Sequence, residues 1–169
     1  MPPPRGESPL TGLSHLTPEG AARMVDVTPK GETAREAVAR AVLRMKPGTL
    51  SRIKAGQVAK GDVLGVARTA GIMAAKKTSE LIPLCHPLRI TGVELSFKIN
   101  RRSRTLTIET RVSAVDKTGV EMEALTAAAV AGLAVYDMVK AIDKGVTLTR
   151  LCLLEKSGGK SGHWKRGRP

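Results

Sequence analysis

Apolar positions along the chain change period several times, and each change predicts an element. Between Thr33 and Met45, apolar residues recur at Ala34, Ala37, Val38, Ala41, Val42 and Met45, a spacing that lines one face of a helix. Thr33 and Glu36 have the separation of a capping box, in which both side chains satisfy backbone donors at a helix start. A helix is therefore expected to begin at Thr33 and to run until Pro47-Gly48 interrupts it. The preceding Ala22–Val27 (ARMVDV) predicts a short strand. From Asp62 to about Glu80, helical spacing returns at Val63, Val66, Ala67, Ala70 and Ala74, with Lys76 and Lys77 near the end, where cations suit the helix dipole. Pro83 and Pro87 then impose an irregular segment, LIPLCHPL. Beyond it, Val93, Leu95, Phe97 and Ile99 alternate with polar residues, as in a half-buried strand. Leu106, Ile108, Thr110 and Val112 repeat the alternation after a polar turn, which predicts a hairpin. A helix is expected from about Val120 to Ile142, since its centre, ALTAAAVAGLAVY, carries no charge for thirteen residues and must be buried nearly all round. A last strand is expected from Val146 to Leu154.

In order these elements read strand, helices, strand, strand, helix, strand, which is the ferredoxin-like split pattern of an α+β fold, an antiparallel sheet with helices packed on one face. The expected organisation is a mobile N-terminal segment over 1–12, one folded domain over 13–162 and a mobile basic tail over 163–169. A helix as apolar as the one centred on residues 124–136 exceeds what one sheet face can cover, which suggests that subunits pack together.

At 169 residues the chain can bury roughly 70% of its extended surface in one core without disulfides or a structural metal. Its apolar stretches all fall short of the roughly 18 uninterrupted residues of a membrane span, and no signal-peptide hydrophobic region opens it, so a cytoplasmic protein with no membrane partner is expected. Cys85 and Cys152 form no Cys-x-x-Cys pair, and reduced thiols are expected. The formal net charge is +13, and Lys156, Lys160, Lys165, Arg166 and Arg168 fall in a C-terminal stretch without acids. Such a field attracts phosphates, whether of nucleic acid or of a small nucleotide. With only Phe97, Tyr136 and Trp164 as aromatic residues, a base-stacking platform of the kind single-strand binders use is not expected.

Four constellations could carry chemistry. Asp137 and Lys140 lie at i and i+3 on one helical face; they are either a surface ion pair or an acid and an amine that exchange protons. Glu121 and Glu123 flank Met122 inside a helix N-terminus, where acids suit the dipole and where carboxylates could also accept from the guanine N1 and N2 donors. His86 follows Cys85 between two prolines that restrict the backbone, as a positioned proton carrier requires, while Cys85 reads mainly as a small buried hydrophobe. Lys156-Ser-Gly-Gly-Lys160 offers glycines that let backbone donors approach an anion, beside two lysines; it lacks the Walker A spacing and could equally be a linker. Lys60 and Arg35 are further candidate phosphate contacts. No His, Cys and carboxylate set has the spacing of a protein-held metal.

Taken together, the stretches MVDV, GDVLGVARTAGIMAAKKTSELIPLCHPL, TGVEMEALTA, YDMVKAID and LLEKSGGKSG closely resemble the MoaC family, the cyclic pyranopterin monophosphate synthases of molybdenum cofactor biosynthesis. The likeness extends over nearly everything from Leu13 to Gly162. It implies a ferredoxin-like subunit in a homohexamer, a trimer of dimers with sites at subunit interfaces. The implied substrate is 3′,8-cyclo-7,8-dihydroguanosine 5′-triphosphate, supplied by a radical S-adenosylmethionine enzyme, and the implied product is a pyranopterin with a cyclic phosphate, released with pyrophosphate. By matching motif positions, Asp137 and Lys140 correspond to the central catalytic pair. Leu84, Cys85 and His86, with Met122 and Glu123, correspond to substrate-contacting segments, His86 also being a candidate proton carrier. Lys60, Glu121, Lys156 and Arg35 correspond to further pocket residues, and Lys160 is a candidate phosphate ligand. The family often has Cys where this chain has Val139 and a basic residue where it has Cys152, so neither position is expected to be essential. No protein-bound cofactor is implied, although Mg could ride on the substrate triphosphate. The competing reading is a basic RNA-binding module on a ferredoxin-like sheet; a third is a catalytically silent nucleotide sensor.

Overall fold

The computed structural model describes residues 17, 20–160 and 162–167, so the expected mobile segment over 1–12 lies outside the described residues. The elements in order are β1 (Thr33–Arg44), α1 (Pro47–Lys54), α2 (Val63–Lys76), α3 (Thr78–Leu81), β2 (Ile90–Asn100), β3 (Thr105–Asp116), α4 (Glu121–Val139), β4 (Thr147–Ser157) and β5 (Trp164–Lys165). The strands form one antiparallel sheet in the order β2-β3-β1-β4-β5. Without the two-residue β5, this is the split βαββαβ arrangement, with the helices on one face. β5 lies in the segment expected to be a tail and pairs with Glu155 and Lys156 of β4.

The sequence expectation fails at the first strand. Thr33–Arg44 is the central strand of the sheet, not a capped helix. It pairs with β3 from Thr33↔Asp116 to Arg44↔Thr105 and with β4 from Glu36↔Ser157 to Arg44↔Thr147. Ala37, Ala39, Ala41 and Leu43 are all buried and recur every second residue. The same stretch therefore satisfies periods of 2 and 3.6, and pairing along both edges decides between them. Glu36 is not a cap; it reaches across the outer sheet face to Arg111 of β3, beside an Arg40–Glu109 ion pair of 2.9 Å. The strand expected over 22–27 is also absent: only Ala22 makes an isolated bridge, and Asp26 accepts from the Thr28 amide at 2.8 Å in a local turn.

Pro47 begins a helix instead of ending one. It occupies the first turn of α1, where its missing amide hydrogen costs nothing. The cap comes from a distance: buried Asp143 accepts from the Lys46 amide and the Thr49 hydroxyl, both at 2.9 Å, and from the Gly145 amide at 3.2 Å. Burial alone would raise the Asp143 carboxyl, but these donors outweigh it and hold it below its ordinary range. Asp62 caps α2 by accepting from the Gly65 amide at 3.0 Å.

α4 is the centre of the molecule. It is long and apolar enough to span a bilayer by length and composition; here it lies across the sheet and against α2. Buried Thr110 of β3 donates to the carbonyl of Ala124 at 2.7 Å, and Gly71 of α2 has no room for a side chain, since a Cβ there would stand 2.6 Å from Leu95 and 3.1 Å from the Ala127 carbonyl. The small residues of α4 thus permit two close contacts at once. This placement sends Glu121, at the start of α4, and Asp137, near its end, to opposite ends of the sheet.

Candidate active site

Two adjoining clefts open beside the N-terminus of α4. The larger, about 920 Å³, lies between the Asp26–Gly31 turn, the start of β1, Lys117–Gly119 and the end of β4, and is lined by Arg35, Glu121, Lys156 and Lys160 among others. The smaller, about 370 Å³, lies between Val25 and Val27, the proline-bounded loop with Leu84, Cys85 and His86, and the Glu121-Met122-Glu123 turn. Lys30, Thr118, Gly119 and Glu121 line both.

The larger cleft is an anion cradle built on glycine. Gly158 and Gly159 both adopt positive φ, and a Cβ on Gly159 would stand 1.6 Å from Nη1 of Arg35, so the guanidinium lies against the loop backbone. Arg35 donates to the carbonyls of Asp116 and Lys117 at 3.4 and 3.3 Å. It therefore buttresses the cradle as well as charging it. Lys156 is half-buried and paired with Glu121 at 2.6 Å. Lys117, which the sequence reading passed over, donates to the Thr28 carbonyl at 3.1 Å. Among the described residues, the ammonium groups of Lys30 and Lys160 have no such partner.

The smaller cleft has a different chemistry. Glu123 is only 3% exposed, and burial pushes its carboxyl up to about 7, helped by the nearby charges of Glu121 and Asp116. Partial burial also raises the Cys85 thiol, with the Glu123 charge adding to it, which suits a half-buried packing residue better than a nucleophile. The His86 loop is tied to the sheet by Asp116, which accepts from the Arg89 amide at 3.1 Å and the Lys117 amide at 2.8 Å. Burial works against ionisation of Asp116, but these amides prevail and hold its carboxyl low.

Asp137, Lys140 and Lys60 form a separate, exposed cluster. Asp137 meets Lys140 at 2.7 Å and Lys60 at 2.9 Å, and Lys60 also donates to the Asp137 carbonyl at 2.8 Å. The hydrogen bond from Lys140, then that from Lys60, drops the Asp137 carboxyl to about 2, and the same contact raises Lys140. Asp137 lies sixteen positions beyond Glu121 on the same helix, about 24 Å at 1.5 Å per residue. Within one chain this cluster does not meet either cleft.

The sequence profile described as "MoaC family" matches residues 24–159. The chain belongs to the MoaC family. It is 59% identical over 157 residues to the cyclic pyranopterin monophosphate synthase of Thermomicrobium roseum, covering 93% of this chain and 95% of that one. The corresponding synthase of Heliobacterium modesticaldum is 58% identical over 154 residues, 91% of this chain and 97% of the relative. That of Listeria monocytogenes serotype 4b is 57% identical over 153 residues, 90% and 95% respectively.

Of the sequence-predicted residues, Arg35, Glu121, Lys156 and Lys160 meet in the first cleft, and Leu84, Cys85, His86, Met122 and Glu123 join Glu121 in the second. Lys60 joins Asp137 and Lys140 instead. Lys30, Lys117, Thr118 and Gly119 were missed as site residues. Their signal was a Pro-Lys-Gly turn and a Lys-Thr-Gly turn before an acidic helix start, and turns of that composition are common. Among the described residues no three His, Cys, Asp or Glu side chains gather as a metal site. Nor does the outer sheet face present a stacking platform: Phe97 packs against the core, Tyr136 lies on α4 and Trp164 sits beside Arg166.

Proposed function

We propose that this protein is a cytoplasmic cyclic pyranopterin monophosphate synthase that converts 3′,8-cyclo-7,8-dihydro-GTP to cyclic pyranopterin monophosphate with release of pyrophosphate. The observation that carries the reading is the junction of the two clefts in a MoaC-family chain. One is sized and charged for a triphosphate, and the other offers carboxyls and a histidine to a guanine-derived ring. The substrate would come from a radical S-adenosylmethionine enzyme. Mg, if used, would ride on the triphosphate and not on protein ligands.

The Asp137–Lys140–Lys60 cluster then has to be supplied by a second copy, as in a homohexamer built as a trimer of dimers. Leu133 and Tyr136, on the α4 face just before Asp137, stay 61% and 37% exposed in the single chain, which favours burial against another subunit. In the single chain the pair is fully charged and ill suited to exchanging a proton. Docking beside a substrate would strip water from it and bring the two groups towards matching affinity. Lys140 would donate and Asp137 accept as the imidazole-derived ring opens and the pyrazine closes, with Glu123 and His86 holding or protonating the purine portion. The cations of the glycine cradle bind the triphosphate while a ribose hydroxyl attacks the α-phosphorus.

The test is incubation with the cyclised substrate, following pyrophosphate. Lys140→Ala and His86→Ala should each lose at least about a hundredfold in turnover. Dissociated together and reassembled, they should recover about a quarter of wild-type activity if each site combines His86 of one subunit with Lys140 of its neighbour. Active wild type with no recovery in the mixture would refute the shared site.

A further inference from the structure

We infer that Lys30 is the cation that stabilises the phosphoryl group under attack, a catalytic assignment that rests on the synthase reading above. A nucleotide with its ring in the histidine cleft and its phosphates in the glycine cradle must thread the junction between them. The α-phosphoryl, being next to the sugar, is the phosphate that lies there. Of the described residues common to both clefts, Lys30 is the one cation and Glu121 the one carboxylate, the others being Thr118 and Gly119.

The remaining basic groups of the cradle are held elsewhere: Arg35 by the Asp116 and Lys117 carbonyls, Lys156 by Glu121 and Lys117 by the Thr28 carbonyl. Lys160 has no partner among the described residues but lines only the phosphate side. Lys30 stands on a fixed base. Its amide donates to the Val27 carbonyl at 3.0 Å, Lys117 anchors the turn before it, and the Glu32–Arg89 ion pair anchors the chain after it. The ammonium, without a partner among the described residues, thus stands on a restrained backbone, which is the arrangement that charge stabilisation requires.

In the step assigned, the hydroxyl oxygen forms a bond to the α-phosphorus while the bond from that phosphorus to the α,β-bridging oxygen breaks. The electron pair of the broken bond leaves on pyrophosphate, and the hydroxyl proton passes to the Glu121 carboxylate. Lys30 offsets the charge that gathers on the non-bridging oxygens of the phosphoryl in flight.

Steady-state pyrophosphate release should separate this from simple anion binding. Lys30→Ala is expected to lower kcat about a hundredfold or more while changing KM less than about fivefold, the signature of a group acting mainly in the transition state. Lys30→Arg should retain most of kcat, and Lys160→Ala should raise KM with kcat little altered. If Lys30→Ala disturbs assembly on gel filtration, Lys30→Gln, which keeps most of the side chain, gives the same reading. A kcat within threefold of wild type, or a loss confined to KM, would overturn the assignment. A wild-type protein that released no pyrophosphate would instead refute the synthase reading itself.

Discussion

Glu123 should make this protein more stable in mild acid than in mild base, and replacing it should remove that slope. Its carboxyl is pushed up to about 7 from an ordinary value of 4.5, chiefly because the residue is 3% exposed. Below about pH 4.5 both folded and unfolded chains carry the proton, and the residue exerts no pH-dependent effect. Between 4.5 and 7 the folded chain keeps the proton and the unfolded chain loses it, so unfolding stability falls by about 1.4 kcal/mol per pH unit. Above 7 both are ionised and the penalty levels off at about 3 kcal/mol. Glu123→Gln keeps the shape and abolishes the titration. Urea unfolding of both proteins at pH 4.5, 6 and 8, at one protein concentration so that assembly contributes equally, should show the variant gaining on wild type by about 3 kcal/mol from the lowest pH to the highest. Other titrating groups cancel in the difference. A stability difference that stays constant across that range would refute the argument that Glu123 is held protonated by burial.

Asp143→Ala should cost about 2–4 kcal/mol in urea unfolding at neutral pH, because it strands the Lys46 and Gly145 amides and the buried Thr49 hydroxyl that the carboxylate accepts. Since the Asp143 carboxyl is held low, its stabilisation is present at neutral pH and should fade as pH falls below about 4. An unchanged midpoint would show that water replaces the cap. Gly71→Ala should cost about 1–3 kcal/mol, because the added Cβ meets Leu95 and the Ala127 carbonyl where α2 crosses α4; thermal unfolding with no loss would mean that the helices separate at little cost.

The ferredoxin-like class could be read from the chain although its first strand was misplaced. The β2–β3 hairpin and α2 follow single, unambiguous periods, and the thirteen uncharged residues in α4 leave only burial as an explanation. β1 resisted because alanine satisfies either period. Its Ala37, Ala39 and Ala41 keep that face of the central strand low beneath α4, and alanine is also the strongest helix former. Two errors then offset each other: a strand placed at Ala22–Val27 stood in for the real one, which begins at Thr33. α1 was missed because its cap, Asp143, comes from nearly a hundred residues away, a distance over which no local pattern can act.

The separation of the Asp137 cluster from the clefts within one chain was already implicit in one helix. His86, the glutamates and the Gly-Lys segment could be grouped by chemistry, but Glu121 and Asp137 belong to the same unbroken helix. A rigid helix of that length holds its ends about 24 Å apart, farther than one nucleotide's reacting atoms can span. The uncharged centre of α4 points the same way, since a helix that buries its middle in one subunit yet leaves Leu133 and Tyr136 exposed beside Asp137 has more apolar surface than a single chain covers. Helix rise and hydrophobicity, two quantities available from the residues alone, therefore lead to one proposal: the proton-transfer pair of each subunit serves the histidine and glycine-lysine clefts of another.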